Sequence, residues 1–157
     1  MKSILLVDDE TEICAELART LRRFRFHVET ASTLEKALRL IQRSQFGAVL
    51  LEFNLRSDRK AHPRTGAGLE VVRQFRALGM MMPVLIFTAM EGTLYEKASV
   101  EAGADGFILK SYGIPHVLKH LRAHIRRNEQ ESRRSAPRSN RNAPRPQKTE
   151  RAPALPK

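Results

Sequence analysis

Val49-Leu50-Leu51-Glu52-Phe53-Asn54-Leu55 is the stretch on which the reading of this chain turns. A short run rich in Val, Leu and Phe reads as a central strand covered on both faces, and such strands belong to parallel sheets with helices around them. In these sheets, ligands and chemistry gather at the carboxyl ends of the strands. Glu52 stands at such an end.

Similar runs lie on either side. Ile4-Leu5-Leu6-Val7 leads into Asp8-Asp9-Glu10, Pro83-Val84-Leu85-Ile86-Phe87 leads into Thr88, and Phe107-Ile108-Leu109 delivers Lys110. His27-Val28-Glu29-Thr30 alternates as an edge strand does. Helical spacing fills the intervals. Ile13, Leu17, Leu21 and Phe24 mark a first helix capped by Asp9 or Thr11, with Arg19, Arg22, Arg23 and Arg25 near its C-terminal end. Ser32-Thr33-Leu34-Glu35 has the form of a capping box ahead of Leu38 and Ile41. Leu69, Val72 and Phe75 carry a third helix that closes at Gly79, and Leu94 and Ala98 a weaker fourth over residues 93–102. Pro115 suits the first turn of a fifth, whose core face is Val117, Leu118, Leu121 and Ile125. Five strands alternating with five helices predict an α/β fold, a single doubly wound five-stranded parallel sheet.

The strand-end residues are then Asp8, Asp9, Glu52, Thr88 and Lys110. Carboxylates this close resist joint ionisation unless a cation answers them, and Mg²⁺ with oxygen ligands is the natural partner. Thr88 and Lys110 offer a hydroxyl and a point charge to an anion held there.

These motifs, taken with Phe87-Thr88-Ala89 and Ala102-Gly103-Ala104-Asp105-Gly106-Phe107-Ile108-Leu109-Lys110, resemble the receiver domain of two-component response regulators over about residues 1–127. The resemblance implies a flavodoxin-like (βα)5 fold. It implies that Asp8 and Asp9 form an acidic Mg²⁺ pocket with the backbone carbonyl of Asn54 as third ligand. Thr88 and Lys110 would contact a phosphoryl group, and Phe107 matches the aromatic switch position. The departures matter as much. Glu52 stands where the family carries its phosphoacceptor aspartate, with an arm longer by ~1.5 Å. A nucleophile displaced by about 1 Å loses on the order of 100-fold in rate, so ordinary phosphorylation is expected to be impaired. Arg56 and Ser111 replace usual prolines, and the polar loop over residues 56–68 is longer than is usual in the family.

Glu52 admits three readings: a built-in mimic of the phosphorylated state, an inert ion pair with Lys110, or a residual phosphoacceptor. The expected function is that of a single-domain receiver in a phosphorelay, a pseudo-receiver that docks a histidine kinase or downstream target through its last strands and helices. No Gly-rich phosphate loop and no Asp-x-Asp nucleophile motif is present, so an enzyme is not expected.

At 157 residues and 41% hydrophobic content the chain can bury one core. The start is too polar for a signal or membrane segment, and a cytoplasmic protein is expected. Cys14 alone forms no internal disulfide and suits a core or boundary position. The net charge of +11 is uneven: residues 129–157 hold eight cations against three carboxylates, +5, leaving +6 before them. Five of the eight prolines also lie there, so residues 128–157 are read as a disordered tail. Such a tail supplies a different class of function, loose electrostatic binding of nucleic acid or an acidic partner. His116, His120 and His124, at i, i+4 and i+8, have metal-ligand spacing but flank the apolar stripe, which favours a solvated or partner-facing row. Met80-Met81-Met82 reads as loop and core filling, and the basic loop with Arg56, Arg59, Lys60, His62 and Arg64 as a solvated insertion or a docking element.

Overall fold

A computed structural model describes residues 2–55 and 64–135. The part of the long loop holding Arg56, Arg59, Lys60 and His62, and the tail from residue 136, lie outside the described residues. In chain order the elements are β1 (Lys2–Val7), α1 (Thr11–Arg23), β2 (Phe26–Ala31), α2 (Leu34–Arg43), β3 (Ala48–Leu51), α3 (Ala67–Ala77), β4 (Val84–Thr88), α4 (Thr93–Ala102), β5 (Gly106–Leu109) and α5 (Gly113–Ser135). A 3₁₀ turn over Lys110–Tyr112 joins the last two.

Among the described residues, five parallel strands make one sheet in the order β2-β1-β3-β4-β5. This is the doubly wound flavodoxin-like fold, and its logic is visible in alternate residues of the inner strands. Leu5, Val7, Val49, Leu51, Val84 and Ile86 face α2 and α3, where Ala37, Ile41, Leu69, Val72 and Phe75 cover them. Ile4, Leu6, Leu50, Leu85 and Ile108 face α1 and α5, against Leu17, Leu21, Val117, Leu121 and Ile125. Both faces are dry, which is why these strands read as unbroken apolar runs.

Several helix details differ from the sequence reading. The buried stripe of α1 is Cys14, Leu17, Ala18 and Leu21, while Ile13 and Phe24 are 44% and 45% exposed. Cys14 and Ala18 pack inward with Leu17 and Leu21, which leaves Ile13 and Phe24 at the rim. Its N-cap is Glu10, without a side-chain cap bond, instead of Asp9 or Thr11. At α2 the cap is Thr33, whose Oγ1 accepts from the Lys36 amide at 3.2 Å, one residue beyond the expected box. On α4, Leu94 is 79% exposed and Ser99 and Ala102 are buried instead. Tyr95 takes the inner position, edge-on to Phe53 with ring centroids 5.3 Å apart.

The last helix also corrects the expected boundary at residue 128. It runs on to Ser135, because no proline intervenes before Pro137, Arg127 pairs with Glu131 one turn on at 2.9 Å, and Glu129 reaches Lys2 at 2.9 Å. Among the described residues, no helix is long and apolar enough to cross a membrane.

Candidate functional site

The parallel ladder places the site. Val7 and Leu51 are register partners on adjacent strands, so Asp8 and Glu52 emerge side by side, with the Glu52 amide donating to the Val7 carbonyl at 2.9 Å. Thr88 pairs with Leu109 across β4 and β5, which sets Lys110 one residue beyond. Asp8, Glu52 and Thr88 are all buried.

The side chains then interlock. Lys110 Nζ donates to Asp8 Oδ2 at 2.7 Å, lies 2.8 Å from Glu52 Oε2, and reaches Glu10 Oε1 at 3.6 Å. The other Glu52 oxygen, Oε1, accepts from the Thr88 hydroxyl at 2.6 Å and from the Asn54 amide at 3.1 Å. Thr88 Oγ1 in turn accepts from the Met90 amide at 3.2 Å. Burial by itself would lower the pKa of Lys110, but its hydrogen bonds and charge contacts with Asp8 and Glu52 outweigh burial and hold the ammonium above its ordinary value. Burial lifts the Asp8 carboxyl above its usual range, and the hydrogen bonds from Lys110 and from the Glu10 amide offset only part of the rise. Lys110 also stands over the Phe87 ring, 5.8 Å from its centroid.

Beside this cluster, Asp9, Glu10, Glu52, Asn54, Thr88, Ala89 and Met90 line a cleft of about 430 Å³. Carboxylate oxygens of Asp8, Glu10 and Glu52 lie within 4.8 Å of one another, a hard-oxygen set suited to a divalent cation such as Mg²⁺. Glu10 thus joins the group, with the triple acid Asp8-Asp9-Glu10 as its sequence signal; Asp9 lines the cleft. The Asn54 side chain has a structural task as well: Oδ1 accepts from the Gly66 amide at 3.0 Å and fixes the entry to α3. Gly68 packs so tightly there that a Cβ would overlap the Glu52 carbonyl oxygen. Nothing in the linear pattern singled Gly68 out.

Phe107 is half-buried on β5 beside Ile86, packed on the α2–α4 side of the core. The histidines form a ladder on α5: Tyr112 to His116, His116 to His120 and His120 to His124 have ring centroids 4.8, 4.3 and 6.2 Å apart. Met80 and Met82 pack on the core and Met81 is exposed. Their carbonyls accept from Arg76 Nη1 at 2.7 and 3.1 Å, while Arg76 Nε donates to the Gly103 carbonyl at 3.0 Å and Nη2 to Asp105 Oδ2 at 2.7 Å. The same Asp105 oxygen accepts from the Val84 amide at 2.8 Å, so one clamp ties α3 to the start of β4 and β5. Cys14 is buried and its thiol is pushed up to about 11, foremost by burial, so it is a core thiol of low reactivity.

Comparison with known proteins agrees with this architecture. Residues 4–122 match the response regulator receiver domain family. Response regulator MprA of Mycobacterium leprae (strain TN) is 32% identical over 128 residues, which cover 82% of this chain and 53% of that protein. MprA of Mycolicibacterium vanbaalenii is 35% identical over 124 residues, 79% of this chain and 50% of that protein. The chain therefore spans about half the length of the curated relatives it matches. Among solved structures, a CheY-like response regulator receiver domain protein from Methanospirillum hungatei JF-1 superposes with a TM-score of 0.72 at 26% identity, over 83% of this chain and 98% of that one. The BeF3-activated N-terminal receiver domain of RstA from Klebsiella pneumoniae gives 0.69 at 26%, over 80% and 99%. Sheet order, strand-end cluster and sequence match together place this chain in the response regulator receiver domain family of two-component signalling.

Proposed function

We propose that this receiver is a pseudo-receiver, held in a fixed signalling state by Glu52 instead of being switched by phosphorylation. One observation carries the reading: the Glu52 carboxylate engages the Thr88 hydroxyl and the Lys110 ammonium at the same time, at 2.6 and 2.8 Å. Those are the two groups that the family resemblance assigns to a phosphoryl anion. One carboxylate supplies about −1 where an attached phosphoryl group brings roughly −1.5 to −2, so the mimicry is partial in charge. In this reading the module works in the cytoplasm by docking and not by turnover, and a histidine kinase or downstream protein meets it through β4, α4, β5 and α5. Mg²⁺ would sit among Asp8, Asp9, Glu10 and the Asn54 carbonyl, neutralising acid beside Glu52, with Lys110 competing for the same oxygens.

The test pairs intact mass with amide hydrogen exchange. Native protein and Glu52→Asp are incubated with Mg²⁺ and a small acyl phosphate. Phosphate is expected on the variant and not on the native chain. The native exchange pattern over residues 88–94 and 106–112 should match that of the phosphorylated variant. A match to the unphosphorylated variant would return Glu52 to an inert pair, and phosphate on the native chain would make it a working switch.

A further inference from the structure

We infer that the end of the sheet opposite the acidic cluster carries a seat for single-stranded nucleic acid, built by the folded domain itself. Lys2, Phe24, Arg25, Phe26, Arg122 and Arg126 line a recess of about 250 Å³ where β1 begins, six residues before Asp8. The inference does not rest on the state of Glu52.

Four cations meet here with little acid to answer them. Lys2 is paired with Glu129 at 2.9 Å, but among the described residues Arg25, Arg122 and Arg126 have no carboxylate within ion-pair reach. Arg122 and Arg126 are four apart and Arg133 is a further seven along α5, so all three share the face that Glu129 turns toward Lys2. Guanidinium groups in such a row suit successive phosphates, which they grip as planar, bidentate donors.

Two features select a nucleic acid strand over other polyanions. Phe24 is 45% exposed among these cations, and an open ring bordered by arginines is what a base stacks upon. The backbone is also set for it: Arg25 has φ 65°, a left-handed conformation that a residue with a Cβ resists, and the turn it makes puts Phe24, Arg25 and Phe26 on one lining. The recess is small for a ligand cleft, so it seats one unit of a chain and leaves the rest to run over α5. The basic sequence beyond Ser135 supplies further cations, which add affinity without reading sequence.

The test uses the full chain and fluorescence anisotropy with labelled oligo(dT), beside a duplex of unrelated sequence, over a salt series. The native protein is expected to bind oligo(dT) with salt-dependent affinity. Arg122→Ser with Arg126→Ser should weaken it at least about 10-fold and reduce the salt slope by about 1.4, the share of two phosphate contacts on a single strand. Phe24→Ala should cost about 10-fold on oligo(dT) and little on the duplex, with Phe24→Tyr restoring binding. Neutralising Arg138, Arg141 and Arg145 should leave the Phe24 effect in place. If the recess variants bind as the native chain does, or only the tail variant loses affinity, the seat does not exist. Equal losses on oligo(dT) and duplex for Phe24→Ala, or no binding of oligo(dT) by the native chain, would equally overturn it.

Discussion

The hydroxyl of Thr88 donates to Oε1 of Glu52 at 2.6 Å, and both side chains are buried. A short bond to a carboxylate inside a protein is among the stronger single contacts a side chain makes. Thr88→Val keeps the shape and removes the donor, so it is expected to cost about 1.5–3 kcal/mol in urea unfolding. A double-mutant cycle with Glu52→Gln measures the coupling, and additive losses would show that the two residues act separately.

Lys110 answers Asp8 and Glu52 together, and its raised pKa keeps it charged through the whole neutral range. Its contribution is complete below the unfolded lysine value and is lost only as strongly alkaline pH approaches the folded one. Lys110→Met leaves two buried carboxylates without a cation and should cost about 3–5 kcal/mol at pH 7. Because the buried Asp8 carboxyl, already raised, then gains by protonation, the deficit should shrink as pH falls toward 5. A deficit that stays flat with pH would assign the loss to packing.

Arg76 satisfies three carbonyls and Asp105 from one guanidinium. Arg76→Ala should destabilise by about 2–4 kcal/mol, since it orphans several partly buried acceptors at once. Asp105→Asn keeps an oxygen for the Val84 amide and should cost about 1 kcal/mol. Equal effects of the two variants would contradict the hub role.

Gly68 and Gly79 separate two reasons for glycine. Gly79 has φ 73° with nothing within 4 Å of a built Cβ, so Gly79→Ala meets only backbone strain, about 1 kcal/mol. Gly68→Ala drives a methyl into the Glu52 carbonyl and should cost about 2–3 kcal/mol while shifting the β3–α3 junction. Thermal melts rank the two, and amide shifts at Phe53 and Asn54 should move in Gly68→Ala alone.

His120 has its pKa lowered, by burial first and then by His116, His124 and Lys119. Its folded value thus lies below the ordinary 6.5, and the unfolded chain takes the proton more readily. Stability is therefore unaffected above that pH and falls as pH drops through the interval below it. The melting temperature should decline as pH falls below 6.5, less so in His120→Gln. Identical declines would place the acid sensitivity elsewhere.

Much of the site is legible in the sequence, because parallel strands buried on both faces announce their own ends. Asp8, Glu52, Thr88 and Lys110 each follow an apolar run, and a parallel ladder brings such ends together. The helix faces were less legible. On α1, Ile13 fits the periodic template as well as Cys14 does, and only the packing of the helix on the sheet decides between them. Arg76 and Asp105 are 29 residues apart in the chain, and no spacing rule links an arginine late in one helix to an aspartate in a later turn. Gly68 is silent for a similar reason, since what it must admit is a carbonyl sixteen positions earlier. The end of α5 is hard to see in the sequence because the charge and proline beyond residue 136 follow directly on a segment that pairs Arg127 with Glu131 and Glu129 with Lys2.

The strands all point one way, and the charges are sorted along them. Lys2, Arg25, Arg122 and Arg126 gather where β1 begins, and Asp8, Asp9, Glu10 and Glu52 where β1 and β3 finish. Such a body has an electric axis about 20 Å long, the length of a six-residue strand. Near a polyanion it turns as a compass needle turns, base inward, with the acidic mouth left facing solution. Ligands of opposite charge are thus drawn to opposite ends of the sheet, one underneath and one on top.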